Sequence, residues 1–317
     1  AEIVIGAARH TKRFGVTPKI ALCSHSQFGS LDTDSGRRMR EALDILDSKK
    51  LDFLSNTLAK LDSEILLSKV MKKDRKYLIL NPKKKINDKN SKLFHHLIER
   101  RKKGEPIAYI IKKKEFWKHD FYVDNNVLIP RPDTELIVEE VLKLYTTKHK
   151  LCVLDIGTGS GCILLSILGE RKNFFGVGID ISKKAVNVAR FNAKIHHLEN
   201  RTKFYKSDVD KFLLGKYDLI ISNPPYIKKQ DFKYLERDVV GYEPKLALDG
   251  GQDGYSKITK VISRASVLLK KNGKFILEIG FDQKNKVINI LKSNKFYINK
   301  TLKDYAKNDR CIISTKL

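Results

Sequence analysis

The stretch SNPPYI, residues 222 to 227, follows the apolar run YDLII and sets Asn223, Pro224, Pro225 and Tyr226 where a buried strand has to end. Neither proline can donate to a sheet ladder and each fixes its own φ. The chain must therefore leave the sheet along a stiff, extended path that holds one amide side chain and its carbonyls in place. These residue types suit one kind of chemistry. An amide or exocyclic amine nitrogen is a weak nucleophile because its lone pair is delocalised into a carbonyl or a ring. If the Asn223 side-chain oxygen and the Pro224 carbonyl each accept one N–H, the nitrogen is held with its lone pair aimed at an incoming electrophile. Catalysis is then mostly positioning and electrostatics, with no strong base required. Tyr226 would pack on the planar group. Asn223, Pro224 and Tyr226 are the expected catalytic residues, and Pro225 joins them in the expected substrate-binding set.

A second chemical signal precedes it. In LDIGTGSG, Leu154 to Gly161, a strand runs into a glycine-rich turn and then a helix. Glycines allow positive φ and bring backbone amides close to a ligand, which makes Gly157, Thr158, Gly159, Ser160 and Gly161 expected cofactor-binding residues. NAD, FAD and S-adenosylmethionine enzymes all use such a turn, so its neighbours decide between them. The next strand ends in Asp180, at the spacing where a carboxylate accepts hydrogen bonds from ribose hydroxyls; the alternative, a cap for the following helix, is a role Ser182 can fill. Asp208, at the end of the third strand, can accept from an adenine amino group or simply be solvated. Asp155 stands before the turn, and the turn holds no P-loop lysine or other basic residue. That fits a ligand carrying an ammonium and a sulfonium better than one carrying phosphates. The expected cofactor is S-adenosylmethionine, with Asn223 beside it.

These groups need elements to hold them. From about residue 150 strands alternate with helices: LCVLDIG, CILLSILGE, FFGVGID, SKKAVNVARFNAKIHH, KFYKSD, YDLIISN, YSKITKVISRASVLLK and GKFILEIG. Buried strands joined by helical crossovers predict an α/β fold with a mostly parallel, doubly wound sheet. The tail KFYINKTLKDYAKNDRCIISTKL adds two strands around a polar turn, suited to an antiparallel edge. Upstream, residues 47–110 have helical periodicity, with Leu58, Leu61, Ile65 and Leu66 on one face and Leu93, Leu97 and Ile98 on another. Residues 111–135 read as a β-hairpin linker around Asp124-Asn125-Asn126, closed by IPRPDTE, in which Asp133 or Thr134 can cap the next helix. Residues 136–317 form the expected catalytic domain.

Residues 1–46 have a different texture: helix, the strand KIALCS, a Ser/Gly loop and a helix. RFGVTPKIALCSHSQFGS and MREALDIL resemble part of the phosphate acetyltransferase-like domain of some malic enzymes, though too short to fold or catalyse as that domain. The segment reads as a fusion or a reading-frame artefact, with Met39 one alternative start, or as an unusual native extension.

Composition narrows the classes. The chain has 317 residues, 63 Lys and Arg against 37 Asp and Glu, and a formal charge of +26. The excess is scattered lysine without an aromatic-interleaved stripe, so no dedicated nucleic-acid site is expected. The four cysteines form no CxxC pair, which suits reduced core residues of a cytoplasmic protein. The doublets His95-His96 and His196-His197 point to different sides of a helix, and no metal is expected. No apolar run reaches membrane-spanning length.

From about residue 50 to 317 the chain resembles the bacterial release-factor glutamine methyltransferases, the HemK family. The segments that carry the resemblance, in order, are LDSEILLSKV, RRKKGEPIAYI, EFW, LIPRPDTE, DIGTGSG, SNPPYI, YEPKLAL, GGQDGY, LEIG and DYAKNDR. NPPY alone is shared with adenine-N6 methyltransferases of DNA and RNA; the linker segments are far more specific. The resemblance implies a Rossmann-like class I methyltransferase domain preceded by a helical substrate-recruiting domain. It implies class I peptide chain release factors as the protein substrate, methylated on the glutamine of their GGQ loop, and a monomer. Many relatives carry an aromatic residue after the strand-three aspartate, where this chain has Val209, so an apolar contact replaces stacking near adenine. The alternatives weighed against this reading are an adenine-N6 methyltransferase and a non-catalytic, basic RNA- or ribosome-binding protein. Arg131 and Glu243, in family-like segments, are given no catalytic role.

Overall fold

A computed structural model describes residues 53–317, with side chains from Lys60 onward. The α/β fragment expected for residues 1–46 and the side chain of Leu58 lie outside the described residues. The chain divides into two compact units: one runs to Ile111 and takes in Tyr234–Gly241, the other comprises Lys112–Lys233 and Tyr242–Leu317.

The first unit is helical, with α1 (Phe53–Met71), α2 (Arg75–Leu80), α3 (Asp88–Lys102) and α4 (Ile107–Ile111). Asp74 and Asn87 cap α2 and α3 by accepting the N–H groups of Tyr77 and Asn90 at 2.7 and 2.9 Å. Leu66, Val70, Leu97 and Ile110 form its small core, and Arg101 ties α3 to α1 through Asp62 at 2.7 Å. Leu93, expected on the buried face, is 46% exposed, and Phe94, Leu97 and Ile98 supply that face. Residues 107–111 close the helical unit, where the Pro106 carbonyl accepts from Tyr109 and Ile110 and starts the turn of α4.

The second unit opens with the hairpin β1 (Lys114–Phe116) and β2 (His119–Phe121). The hairpin turns at Trp117 and Lys118 instead of at Asp124-Asn125-Asn126. Trp117 adopts φ 56° there, and distant carboxylates hold it: its N–H donates to Glu135 at 2.6 Å and its indole to Glu170 at 3.1 Å. Asp124 makes a separate turn by accepting the Asn126 N–H at 3.0 Å. A 3₁₀ turn, Pro132–Thr134, then leads into α5 (Glu135–Leu144).

After it come β3 (Cys152–Ile156), α6 (Cys162–Glu170), β4 (Phe175–Asp180), α7 (Lys183–Ile195), β5 (Thr202–Lys206) and β6 (Tyr217–Ser222). The short α8 (Arg237–Tyr242), α9 (Ser256–Leu268), β7 (Leu269–Glu278), α10 (Lys284–Ser293), β8 (Phe296–Lys303) and β9 (Asp309–Lys316) complete the chain. The sheet has seven strands in the order β5-β4-β3-β6-β7-β9-β8. Its first five are parallel neighbours and β9 inserts antiparallel between β7 and β8. The apolar runs bury both faces by simple alternation. Val153, Leu219, Ile221, Ile276 and Ile313 pack on one side with α5, α6 and α7. Leu154, Ile220, Phe275, Leu277 and Ile312 pack on the other with α9 and α10. Helix α10, whose Val287 and Leu291 complete the second face, was not read from the sequence.

Because β3 pairs with β4 on one side and β6 on the other, the strand order reverses at β3. Open α/β sheets leave a crevice at such a point, beyond the carboxyl ends of the strands.

Candidate active site

The register brings the two chemical motifs side by side. Ile156 lies opposite Ser222 in the β3–β6 pair, so the glycine turn and SNPPYI leave the sheet next to each other. The Ser222 hydroxyl donates to the Ile156 carbonyl at 2.7 Å and fastens the two exits together. Above them opens a cavity of about 220 Å³. Gly157, Thr158, Gly159, Ser160, Asp180, Asp208, Val209, Asn223, Pro224 and Pro225 all line it.

Gly161 and Tyr226 stand apart from that lining. Gly161, at φ 82°, caps the start of α6, and a Cβ there would meet Leu165 Cδ1 at 3.1 Å and Ala189 Cβ at 3.3 Å. Its role is close packing of helix against helix. The Tyr226 ring packs against the core cluster on the α9 and α10 side. Its hydroxyl donates to Glu278 Oε1 at 3.4 Å, and its backbone carbonyl accepts from Gln283 Nε2 at 3.2 Å.

The glycine turn is built for a ligand. Gly157 and Thr158 both donate to the Ile179 carbonyl at 2.9 Å, which folds the turn over the end of β4. A Cβ on Gly159, at φ 55°, would meet nothing within 4 Å. Asn192, fully buried on α7, donates to the Ser160 carbonyl at 2.8 Å. It also brackets the Tyr122 backbone, accepting its N–H and donating to its carbonyl. One buried amide thus fixes the turn and the linker at once.

Acids gather beneath this turn. Asp180 accepts the N–H groups of Gly159 and Ser182 at 3.0 and 2.8 Å, while Ser182 Oγ caps α7 through the Ala185 N–H. Burial raises the Asp180 pKa, opposed by those two backbone donors. Asp155 is fully buried; burial pushes its pKa up to about 7 against the Thr158 hydroxyl bond of 2.7 Å, and the Asp180 charge adds to the rise. Asp155 Oδ1 has no hydrogen-bond partner among the described residues. Asp208 caps the following 3₁₀ turn through the Asp210 N–H at 3.1 Å. Three cations line the cavity, Arg131, Lys257 and Lys260, of which Arg131 is bound to Glu243 and Lys260 to Asp210. An open glycine cradle above an unpartnered buried carboxylate oxygen fits a ligand with cationic groups, as S-adenosylmethionine has in its ammonium and sulfonium.

Sequence reasoning missed the groups that close the cavity from other elements. Val127, Leu128, Pro130 and Arg131 line it from the linker, and Pro244, Leu246 and Ala247 from the loop after SNPPYI. Glu243, 4% exposed, joins these two walls: it accepts the Arg131 guanidinium at 2.5 Å and the Ile129 N–H at 3.2 Å. The segments LIPRPDTE and YEPKLAL carried the signal, but only as motifs without an assigned place. Thr134, expected as a helix cap, makes no capping bond. It lines the cavity, and its hydroxyl accepts from Asn223 Nδ2 at 3.1 Å.

Strand order, glycine cradle and the loop at the end of β6 define an S-adenosylmethionine-dependent class I methyltransferase. Comparison with known proteins agrees. Residues 50–111 match the PrmC N-terminal domain and residues 147–312 a methyltransferase domain. Residues 1–76 match phosphate acetyl/butaryl transferase, the kind of domain that the first 46 residues resemble. The release factor glutamine methyltransferase of Clostridium acetobutylicum is 41% identical over 258 residues, covering 80% of this chain and 90% of that protein. That of Buchnera aphidicola is 39% identical over 268 residues, covering 84% and 95%. Among solved structures, a methyltransferase from Pyrococcus furiosus matches with a TM-score of 0.48 at 18% identity, covering 70% of this chain and 97% of that one. The chain belongs to the release factor glutamine methyltransferase family.

Proposed function

We propose that this protein transfers a methyl group to the side-chain amide nitrogen of the glutamine in the GGQ motif of class I peptide chain release factors, as a cytoplasmic monomer. S-adenosylmethionine supplies the methyl as an electrophile on a sulfonium. The residues of this chain bind and aim. The glycine turn from Gly157 to Ser160 gives its open face to the cofactor, with Asp180 for the ribose and Asp208 and Val209 beside the adenine. Asn223 and Pro224 receive the substrate amide, the Asn223 Oδ1 and the Pro224 carbonyl each accepting one N–H. That pair of acceptors holds the nitrogen lone pair toward the methyl and favours the charge that develops on nitrogen during transfer. Pro225 stiffens the loop and Tyr226 anchors its far end. The helical unit, residues 47–110, recruits the release factor.

The observation that carries this reading is the placement of Asn223 and Pro224 on the cavity wall next to the glycine turn, on a loop that two prolines and the sheet edge keep rigid. Incubation with labelled S-adenosylmethionine and either a class I release factor or its GGQ-to-GGA variant tests it. Label is expected on the first protein alone. Equal label on both, or label on DNA instead, would overturn the reading.

A further inference from the structure

Two consecutive prolines leave the loop after β6 with few ways to be held. Pro224 and Pro225 have no N–H to donate, and the proposed transfer needs the Asn223 side chain and the Pro224 carbonyl free for the substrate. The grip has to fall on the residues that follow.

It falls on Tyr226 and Ile227. The Ile227 N–H donates to the Leu248 carbonyl at 3.2 Å, and the Ile227 carbonyl accepts from the Gly250 N–H at 2.9 Å, a short parallel bridge to the start of GGQDGY, residues 250 to 255. Two glycines of that segment press on the Tyr226 peptide. A Cβ on Gly250 would lie 2.7 Å from the Tyr226 carbonyl carbon, and one on Gly254, at φ 79°, would lie 2.6 Å from the Tyr226 carbonyl oxygen. No side chain fits between these backbones.

Gln283 closes the arrangement from beyond the end of β7, the strand whose Leu277 shares a register with Ser222 of β6. It is 1% exposed. Its Oε1 accepts the Gly280 N–H at 2.9 Å, and its Nε2 donates to the Tyr226 carbonyl at 3.2 Å and the Gly254 carbonyl at 3.1 Å. A backbone N–H only donates and a backbone carbonyl only accepts, so these partners fix which end of the amide faces the loop. Neither Gln283 nor Gly250, Gly254 or Tyr226 lines the cofactor cavity.

We infer that Gln283 is a positioning residue for methyl transfer: with Gly250 and Gly254 it locks the Tyr226 peptide, and so holds the Asn223 and Pro224 acceptors where the substrate amide needs them. This rests on the proposed transfer to an amide nitrogen. Gln283 touches no reacting atom and acts through the loop, so its loss should appear in turnover and not in cofactor binding. A shift of about 1 Å at a group that aims a substrate can cost about 100-fold in rate.

Gln283→Met keeps the length of the side chain and removes its donors and its acceptor. With a release factor as substrate, kcat should fall by about 10- to 100-fold while the dissociation constant for S-adenosylmethionine stays within about twofold. Gln283→Glu keeps an acceptor for Gly280, but it can donate to the Tyr226 carbonyl only while its carboxyl is protonated. Its kcat relative to the wild type should therefore rise about threefold or more from about pH 8 to about pH 6. A side chain that merely fills space gives a flat ratio. A readout that needs no turnover separates this inference from the function it rests on. In the Met variant the Ile227 and Gly250 amides should exchange with solvent about tenfold faster than in the wild type, beyond any change at Leu154 in the core of β3. Wild-type kcat in the Met variant, unchanged exchange at Ile227 and Gly250, or a flat pH ratio for the Glu variant would each overturn the inference. Should the Met variant fail to fold, judged by its unfolding midpoint, the Glu variant carries the test through its pH ratio and through the same exchange measured at both pH values. Absent transfer by the wild type would refute the proposed function alone, and the exchange rates would still decide whether Gln283 holds the loop.

Discussion

Arg131 and Glu243, 112 residues apart in the chain, close an ion pair of 2.5 Å in which the carboxylate is 1% exposed. The same carboxylate accepts the Ile129 N–H, so one buried acid joins the linker and the loop after SNPPYI, both of them cavity walls. Removing Glu243 leaves a guanidinium only 22% exposed without its partner and a buried N–H without an acceptor. Glu243→Ala should therefore destabilise the protein by about 2–4 kcal/mol. Urea unfolding checks this, and an unchanged midpoint would show that the pair contributes nothing to holding the two walls.

Asn223→Ala removes the acceptor on which the positioning argument rests. A loss of about 10²- to 10³-fold in kcat is expected, as for deletion of a preorganised group aimed at developing charge. The unfolding midpoint should stay close to the wild type, because the side chain makes one bond, to a threonine. Methyl transfer measured with labelled cofactor decides the matter, and near-normal turnover contradicts the mechanism.

Two glycines of the same turn should fail differently. At Gly159, φ 55° with open space around a new Cβ, alanine bears a left-handed backbone cost of about 1–2 kcal/mol and nothing more. That Cβ occupies the space the cofactor needs, so affinity for S-adenosylmethionine should drop by about tenfold or more while the fold survives. At Gly161, φ 82°, alanine meets Leu165 and Ala189 as well. Overpacking there should add about 1–3 kcal/mol and lower the melting temperature before binding is affected. Calorimetric titration and thermal unfolding of both variants compare the two effects directly.

Glu278 makes stability depend on pH in a stated direction. Burial raises its pKa from 4.5 to about 7, with Arg310 and the Thr134 and Tyr226 hydroxyls opposing the rise and Asp133 adding to it. Between those values the folded protein holds a proton that the unfolded chain has lost. The stability it contributes is fully present below pH 4.5 and is lost as pH rises through about 7. Glu278→Gln cannot ionise and should lose less stability than the wild type between pH 5 and pH 8. Asp155, raised in the same direction, is common to both proteins and cancels in the comparison. Urea midpoints at the two pH values measure the difference, and parallel losses would remove Glu278 as the source.

The parts of the site that were legible in the sequence are those whose meaning is local. A strand running into GTGSG needs only the φ freedom of its glycines to be read as a ligand turn, and two prolines after YDLII can only end a strand. The hairpin shows the reverse case. DNN is the stronger local turn signal, yet the hairpin turns at Trp117, because Glu135 and Glu170 supply bonds that no neighbouring residue reveals. Tyr226 is similar: its place in the motif suggested a wall for the substrate, while Glu278 and Gln283 hold it from the other side of the loop. Helix α10 was missed in a stretch rich in lysine and asparagine, where the short apolar run from Val287 to Leu291 buries only Val287 and Leu291.

By itself, then, the sequence determined the alternation of strands and helices, the glycine cradle and the stiff NPPY exit, because backbone propensity and apolar periodicity act over a few residues. Only the tertiary structure decided what meets what. It set β3 beside β6 so that Ile156 and Ser222 share a register. It paired Arg131 with Glu243, and it brought Thr134 to Asn223. Those contacts join residues 66 to 112 positions apart, and burial makes each one strong by excluding water, a condition that exists only once the chain has folded.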